Sequence, residues 1–237
     1  MKFNDYQKSV GKFDSTNGLL ISVLGLLGEA GEIISVIKRF YRNWKSLKQV
    51  FLQSIKKDLR IEIGDALWYI SSICNHLGLN LEDVANANLV ATGIMPRGKK
   101  GLSIDNYQTL VTEANTKNGH PEKRQAALSG LSQHASKVMA IYVSTPQKDR
   151  NSPKFKKDIE KQLGDALWYM ANLCSFYELD LRNVALENYQ KVSDLWDTGS
   201  VPGFDSTYIE DERLPRSFKI DFREREIDGG KKLVKIY

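Results

Sequence analysis

The chain has 237 residues, 41% of them hydrophobic and 27% charged, ordinary proportions for a globular protein that buries a sizeable core. The net charge is +5 and the pI about 9.0, which admits polyanions and phosphorylated small molecules as partners. The longest apolar stretch, Leu19 to Leu27, is broken by Ser22 and Gly25 and falls short of the roughly 20 apolar residues of a membrane span. With a polar N-terminus and only Cys74 and Cys174 for thiols, no disulfide framework is expected and a cytoplasmic protein without membrane contact is. Basic residues come in scattered short runs, such as Lys154-Phe155-Lys156-Lys157, rather than in one helical stripe, which ranks nucleic acid low as a partner.

In chain order, Leu20, Val23, Leu24, Leu27, Ala30, Ile33, Ile34 and Ile37 follow the spacing of an amphipathic helix. A second helix is predicted from about Lys56 to His76 through Ile61, Leu67, Trp68 and Ile73, with Gly78 as its stop. Asn80 is a candidate cap for a third helix whose first turn carries Glu82 and Asp83.

The pattern then repeats. Ile63-Gly64-Asp65-Ala66-Leu67-Trp68-Tyr69-Ile70 returns 100 residues later as Leu163-Gly164-Asp165-Ala166-Leu167-Trp168-Tyr169-Met170, and Cys74, Val84-Ala85 and Asn88 return as Cys174, Val184-Ala185 and Asn188. Upstream the offset is 105, with Gly25-Leu26 facing Gly130-Leu131 and Ala30 facing Ala135, and Asp180 takes the place of the capping Asn80. From about Thr198, Gly199, Pro202, Gly203 and Pro215 break helices. The alternation Phe218 to Phe222, the turn Asp228-Gly229-Gly230 and the run Leu233 to Tyr237 predict a β-hairpin. The expected architecture is therefore all-α, a bundle of two helical repeats over 1–110 and 111–198, with a hairpin tail over 199–237.

Two pairs of acids stand three residues apart on the predicted helices, Glu29 with Glu32 and Glu62 with Asp65, and residues at that spacing share a face. If the two helices are antiparallel neighbours, four carboxylates converge. Unpaired, they repel and some protonate; a hard divalent cation resolves the conflict, and Mg²⁺ takes carboxylate oxygens, water and substrate phosphates together. The competing reading is surface acids in helical ion pairs. Glu62 fits that poorly, because Asp58, Leu59, Asp65 and Ala66 are its neighbours three and four residues away. Gly28 and Gly31 beside the first pair each cost a helix interior about 0.5–1 kcal/mol and leave room for close packing or a ligand.

The combination Gly28-Glu29-Ala30-Gly31-Glu32, a spacer, and Glu62-Ile63-Gly64-Asp65-Ala66-Leu67-Trp68-Tyr69 resembles the MazG-like nucleoside triphosphate pyrophosphohydrolases, whose pattern is EExxE followed by ExxD. Gly28 replaces the first Glu of that pattern. The resemblance covers about Tyr6 to Asn106 well and the second repeat more loosely. It implies that Glu29, Glu32, Glu62 and Asp65 are the catalytic and metal positions for Mg²⁺ or Mn²⁺, and that water attacks the α-phosphate of an NTP or dNTP to give the monophosphate and pyrophosphate.

In the second repeat His134, Lys137 and Gln162 stand opposite Glu29, Glu32 and Glu62, and Asp165 alone is kept. The Asn-x-x-Lys common on the family's third helix is present as Asn188 to Lys191, whereas the first repeat has Asn88 to Ala91. Two readings follow: a composite site in which Lys191 contacts the triphosphate, or a second repeat that only supports the first. Asn88, Asn188 and Lys191 are accordingly candidate substrate contacts. Trp68 is a base-stacking platform or a core aromatic; Lys38 neutralises phosphate or extends from the bundle to solvent. The loop Arg97 to Gly101 is a phosphate lid or a plain surface loop. His76, His120 and His134 lack zinc-ligand spacing, and no phosphate-binding GxxxxGK[ST] loop is present. The leading expectation is a metal-dependent nucleotide pyrophosphohydrolase, with a non-catalytic nucleotide-binding module of the same fold as its alternative and a homodimer compatible with either.

Overall fold

The structure, a computed structural model, describes residues 1–14, 16, 18–43, 49–95, 101–117, 123–197, 221–227 and 230–236. Contacts divide it into two units, Met1–Asp194 and Leu195–Tyr237. In chain order the helices are α1 (Phe3–Phe13), α2 (Leu19–Asn43), α3 (Gln49–Leu77), α4 (Leu81–Ala91), α5 (Ile104–Lys117), α6 (Lys123–Ser144), α7 (Pro153–Phe176) and α8 (Leu181–Asp197), with a short 3₁₀ turn at Gln147–Asp149. In the second unit, β1 (Asp221–Ile227) pairs antiparallel with β2 (Gly230–Ile236), Asp221 opposite Ile236. Residues 218–220, 228–229 and 237 of the expected hairpin, the loop at 97–100 and His120 lie outside the described residues.

Local chemistry sets the helix ends. Asn80 caps α4, its side chain accepting from the Asp83 N–H at 3.1 Å, and Asp180 caps α8 through the Asn183 N–H at 2.8 Å. Ser152 and Pro153 start α7 as cap and first residue. At the end of α3, Gly78 takes φ +64°, a left-handed stop that glycine adopts freely; at the end of α7 the same conformation falls on Glu178, φ +54°. Both stops are held alike. Leu79 N–H returns to the Cys74 carbonyl and Leu179 N–H to that of Cys174. Gln7 of α1 then clamps the α3–α4 turn, donating to the Leu79 carbonyl and accepting from the Leu81 N–H, both at 2.8 Å. Gln108 of α5 clamps the α7–α8 turn through Leu179 and Leu181 at 2.8 and 2.7 Å.

The α2 periodicity admits more than one inward face, since apolar residues occur almost all round it. In the fold Val23, Leu26, Ala30, Ile33, Val36, Ile37 and Phe40 are buried, while Leu20, Leu24 and Ile34 of the expected stripe are exposed. The helix packs against α3 on one side and α6 on another, and that double contact selects the face. With a mean hydropathy of 1.9 in its best window, Leu19–Arg42 is long and apolar enough to cross a membrane by composition, unlike the Leu19–Leu27 run that the primary sequence shows. Its buried positions are core residues of the bundle.

Helices of the two halves approach closely where glycines permit. A Cβ at Gly64 would meet the Asn188 Cβ at 3.0 Å, and one at Gly164 would meet the Asn88 Cβ at 3.1 Å. Phe3 and Tyr107 meet edge to face with ring centres 5.5 Å apart. Lys56–Glu178 and Arg60–Glu187 add exposed ion pairs across the same boundary, of small energetic weight.

Gly25 and Gly28 make opposite predictions on one helix. A Cβ at Gly25 would lie 2.3 Å from the Tyr69 ring, whereas one at Gly28 meets nothing within 4 Å. In urea denaturation, Gly25→Ala is expected to lose about 1–3 kcal/mol through overpacking and Gly28→Ala to gain about 0.5–1 kcal/mol through helix propensity.

Candidate active site

The packing of α2 on α3 brings Glu29, Glu62 and Asp65 together, with one carboxylate oxygen from each lying within 4.8 Å of the others. All three are partly buried. Burial first, then the charges of Asp65 and Glu62 and a hydrogen bond shared with Glu62, push Glu29 up to about 8, with Lys191 acting in the opposite sense. The crowding thus favours a proton held between Glu29 and Glu62 when no cation is bound. The strain is electrostatic: three acids share one small volume, and one stays neutral.

Asp65 is also held from the far half of the chain. Lys191 of α8 donates to both of its oxygens, at 2.6 and 2.7 Å, and the Asn188 amide donates to Oδ1 at 2.6 Å. Asn188 is buried and accepts a hydrogen bond from the buried Tyr6 hydroxyl at 3.1 Å. The site thus draws side chains from α2 and α3 and support from α1 and α8.

The donor set suits a hard divalent cation. Magnesium–oxygen bonds of about 2.1 Å in octahedral geometry place neighbouring oxygens about 3–4 Å apart, so small rotations close the three carboxylates around one ion. An all-oxygen, anionic set favours hard cations over softer metals. Such an ion would replace the proton on Glu29 and relieve the repulsion.

Other sequence-derived candidates fall elsewhere. Glu32, one turn along α2, is exposed and outside the three-acid group; Lys38 is exposed farther along the helix. Trp68 is 9% exposed and belongs to the core cluster. Asn88 does not face the three acids: its amide donates to Asp165 Oδ1 at 3.0 Å in the other half, and the Tyr107 hydroxyl donates to its oxygen at 3.3 Å. There Asp165 also pairs with Lys161 at 3.0 Å, while His134 bonds Gln162 at 2.8 Å and stacks on Tyr169. The second half fills the corresponding volume with neutral and cationic partners.

Sequence reasoning passed over Tyr6. Its signal was the pair Tyr6-Gln7 and Tyr107-Gln108, 101 residues apart, hidden because the register differs from the 100 and 105 of the stronger matches. A second group was passed over as well. Ser72 donates to Asp14 Oδ2 at 2.5 Å and shares a 2.7 Å bond with Ser22, and Thr16 lies 2.9 Å from His76 Nε2. These polar residues are scattered over three segments and have no linear motif. Their counterparts on α6 and α7, Ala127, Asn172 and Phe176, do not reproduce the network.

The raised Glu29 makes two linked predictions. Its folded value, about 8, lies above the ordinary 4.5, so in metal-free protein its contribution favours folding at low pH and is lost as pH rises through about 8. Metal binding near pH 7 should displace that proton. Calorimetric Mn²⁺ titrations in buffers of different ionisation enthalpy are expected to show close to one proton released per site, and Glu29→Gln to abolish the release.

Comparison with known proteins agrees with this geometry. The family model described as the MazG nucleotide pyrophosphohydrolase domain matches residues 19–90, a span that holds Glu29, Glu62 and Asp65 together with the capped start of α4. The Gene 37 protein of Mycobacterium phage L5 is 38% identical over 79 residues, covering 33% of this chain and 67% of that protein. No solved structure matches. The helical structure is consistent with that match, and the chain belongs to the MazG nucleotide pyrophosphohydrolase family.

Proposed function

We propose that the protein is a metal-dependent nucleoside triphosphate pyrophosphohydrolase, cleaving an NTP or dNTP to the monophosphate and pyrophosphate. The observation that carries this reading is the convergence of Glu29, Glu62 and Asp65 within 4.8 Å inside the span that matches the family. In this reading these three acids hold Mg²⁺ or Mn²⁺, with exposed Glu32 supplying a fourth carboxylate at the mouth of the site. A bound divalent ion would supply charge neutralisation toward the phosphates and activation of water. Water attacks the α-phosphorus, its oxygen forming the new bond as the bridging bond to the β-phosphate breaks and pyrophosphate leaves.

The protein's own residues have separable tasks. The carboxylates position the attacking water and accept its proton. Lys191 presents the ammonium that meets the triphosphate, reaching the site from α8 next to Asp65. Lys38 and Trp68 remain candidates for peripheral phosphate and base contacts, whereas Asn188 and Asn88, both buried, act in this reading as supports of Asp65 and Asp165 and not as substrate contacts.

The architecture that supports this division is a pair of repeats, one chain doing the work of two subunits, followed by a hairpin tail. The Gln7 and Gln108 clamps and the reciprocal Asn188–Asp65 and Asn88–Asp165 bonds favour it. Because α5 repeats the bonds of α1, we place the junction before Ile104 rather than near residue 110. The second repeat would lend Asn188 and Lys191 while its own acid positions stay closed by His134, Gln162 and Lys161.

The deciding assay is pyrophosphate release from a panel of NTPs and dNTPs with Mg²⁺, with Mn²⁺ and with chelator. Metal-dependent release is expected, reduced by at least about a hundredfold in Glu62→Gln, in line with the loss of a group that stabilises transition-state charge. Lys191→Ala is expected to raise the substrate KM as well as lower kcat. Nucleotide binding without release would instead make the chain a nucleotide-sensing module.

A further inference from the structure

Asn188 faces two different partners, and its amide has two different ends. Its Nδ2 donates to Asp65 at 2.6 Å and its Oδ1 accepts from the Tyr6 hydroxyl at 3.1 Å. A carboxylate only accepts, so the amide must turn its nitrogen toward Asp65; the reversed amide would set two oxygens against each other. Asn188 cannot move away to avoid this choice, because α8 is seated against Gly64, where even a Cβ would come within 3.0 Å. Asp65 sets the amide's sense, and the group at the amide's other end decides how firmly that side chain is held in place.

We propose that Tyr6 is a positioning residue of the metal site, its hydroxyl anchoring the oxygen end of the Asn188 amide so that the amide nitrogen holds Asp65 toward Glu29 and Glu62. This rests on the reading of those three acids as metal ligands. Tyr6 is fully buried, so it acts through Asn188 and not on substrate. Burial and the nearby Asp65 charge both keep the phenol protonated, which suits it to donate. The order along the relay is then fixed: Tyr6 donates to Asn188, and Asn188 donates to Asp65.

The fold supplies its own control. Tyr107, also fully buried, donates to Asn88 at 3.3 Å, and Asn88 donates to Asp165 at 3.0 Å. The bonds are the same, but Asp165 is accompanied by His134, Gln162 and Lys161 rather than by glutamates. Removing either hydroxyl deletes one buried hydrogen bond of the same type, so the two losses of stability should match. The effect on metal should not.

The experiment is Tyr6→Phe and Tyr107→Phe in the full chain, with Mn²⁺ binding followed by the spin-resonance signal of the free ion, beside thermal unfolding without metal. The expected result is a Kd for Mn²⁺ raised about tenfold in Tyr6→Phe, the lower end of what losing an outer partner of a ligand costs, and unchanged in Tyr107→Phe, with similar melting temperatures for both. Wild-type Mn²⁺ affinity in Tyr6→Phe overturns the inference while leaving the metal site standing. Equal weakening in both variants also overturns it, since the hydroxyls would then act only through general stability. Absence of Mn²⁺ binding in the wild type would overturn the metal-site reading itself.

Discussion

Three carboxylates within 4.8 Å of one another repel, and they stay together because the packing of the bundle is worth more than their separation. The backbone of α2 is fixed by a row of fully buried residues, Leu26 and Ile33 among them, and that of α3 by Leu59, Ile63 and Leu67. Neither helix can turn its acids outward without exposing that row, at about 1.5–3 kcal/mol for each large apolar side chain. The repulsion is offset instead by the upward shift of the Glu29–Glu62 pair toward its protonated form and by the ammonium and amide that α8 brings to Asp65.

The two halves of the chain contribute differently to the acidic group. Site chemistry and site support are separated between the halves: α2 and α3 carry the carboxylates, and α8 carries Asn188 and Lys191. Reciprocally, α4 carries Asn88 to Asp165. On that side His134 and Gln162 hydrogen-bond each other and Lys161 neutralises the aspartate, so among the described residues Asp165 sits in no cluster of like charge. Asp65 and Asp165 thus sit in surroundings of opposite electrostatic character. The glycines at 64 and 164 are the shared condition, because each lets an asparagine of the other half reach the aspartate one residue on.

The helix framework recurs where the acids do not. Gln7 and Gln108 make the same turn clamps, Gly25 and Gly130 receive the same tyrosine rings, and Asn80 and Asp180 cap equivalent helices. These features maintain the bundle and recur in both halves. Glu29 and Glu62 serve no such purpose, and the second half has exchanged them.

Much was determined by the sequence alone. Helical periodicity, caps and the left-handed stop at Gly78 are local properties, written in residues within a few positions of one another, and the helical class follows from them. The two acid pairs at i and i+3 were legible for the same reason, as was their family pattern. Tertiary structure decided the rest. Helix α2 is apolar on nearly every side, so only its contacts with α3 and α6 determine that Leu20, Leu24 and Ile34 face outward. Glu32 shares a helix face with Glu29 yet remains exposed, a difference that only the placement of the neighbouring helices decides. The placement of Asn88 on Asp165, and of Asn188 with Tyr6 behind it on Asp65, depends on how distant helices cross. No spacing within a single segment encodes that crossing.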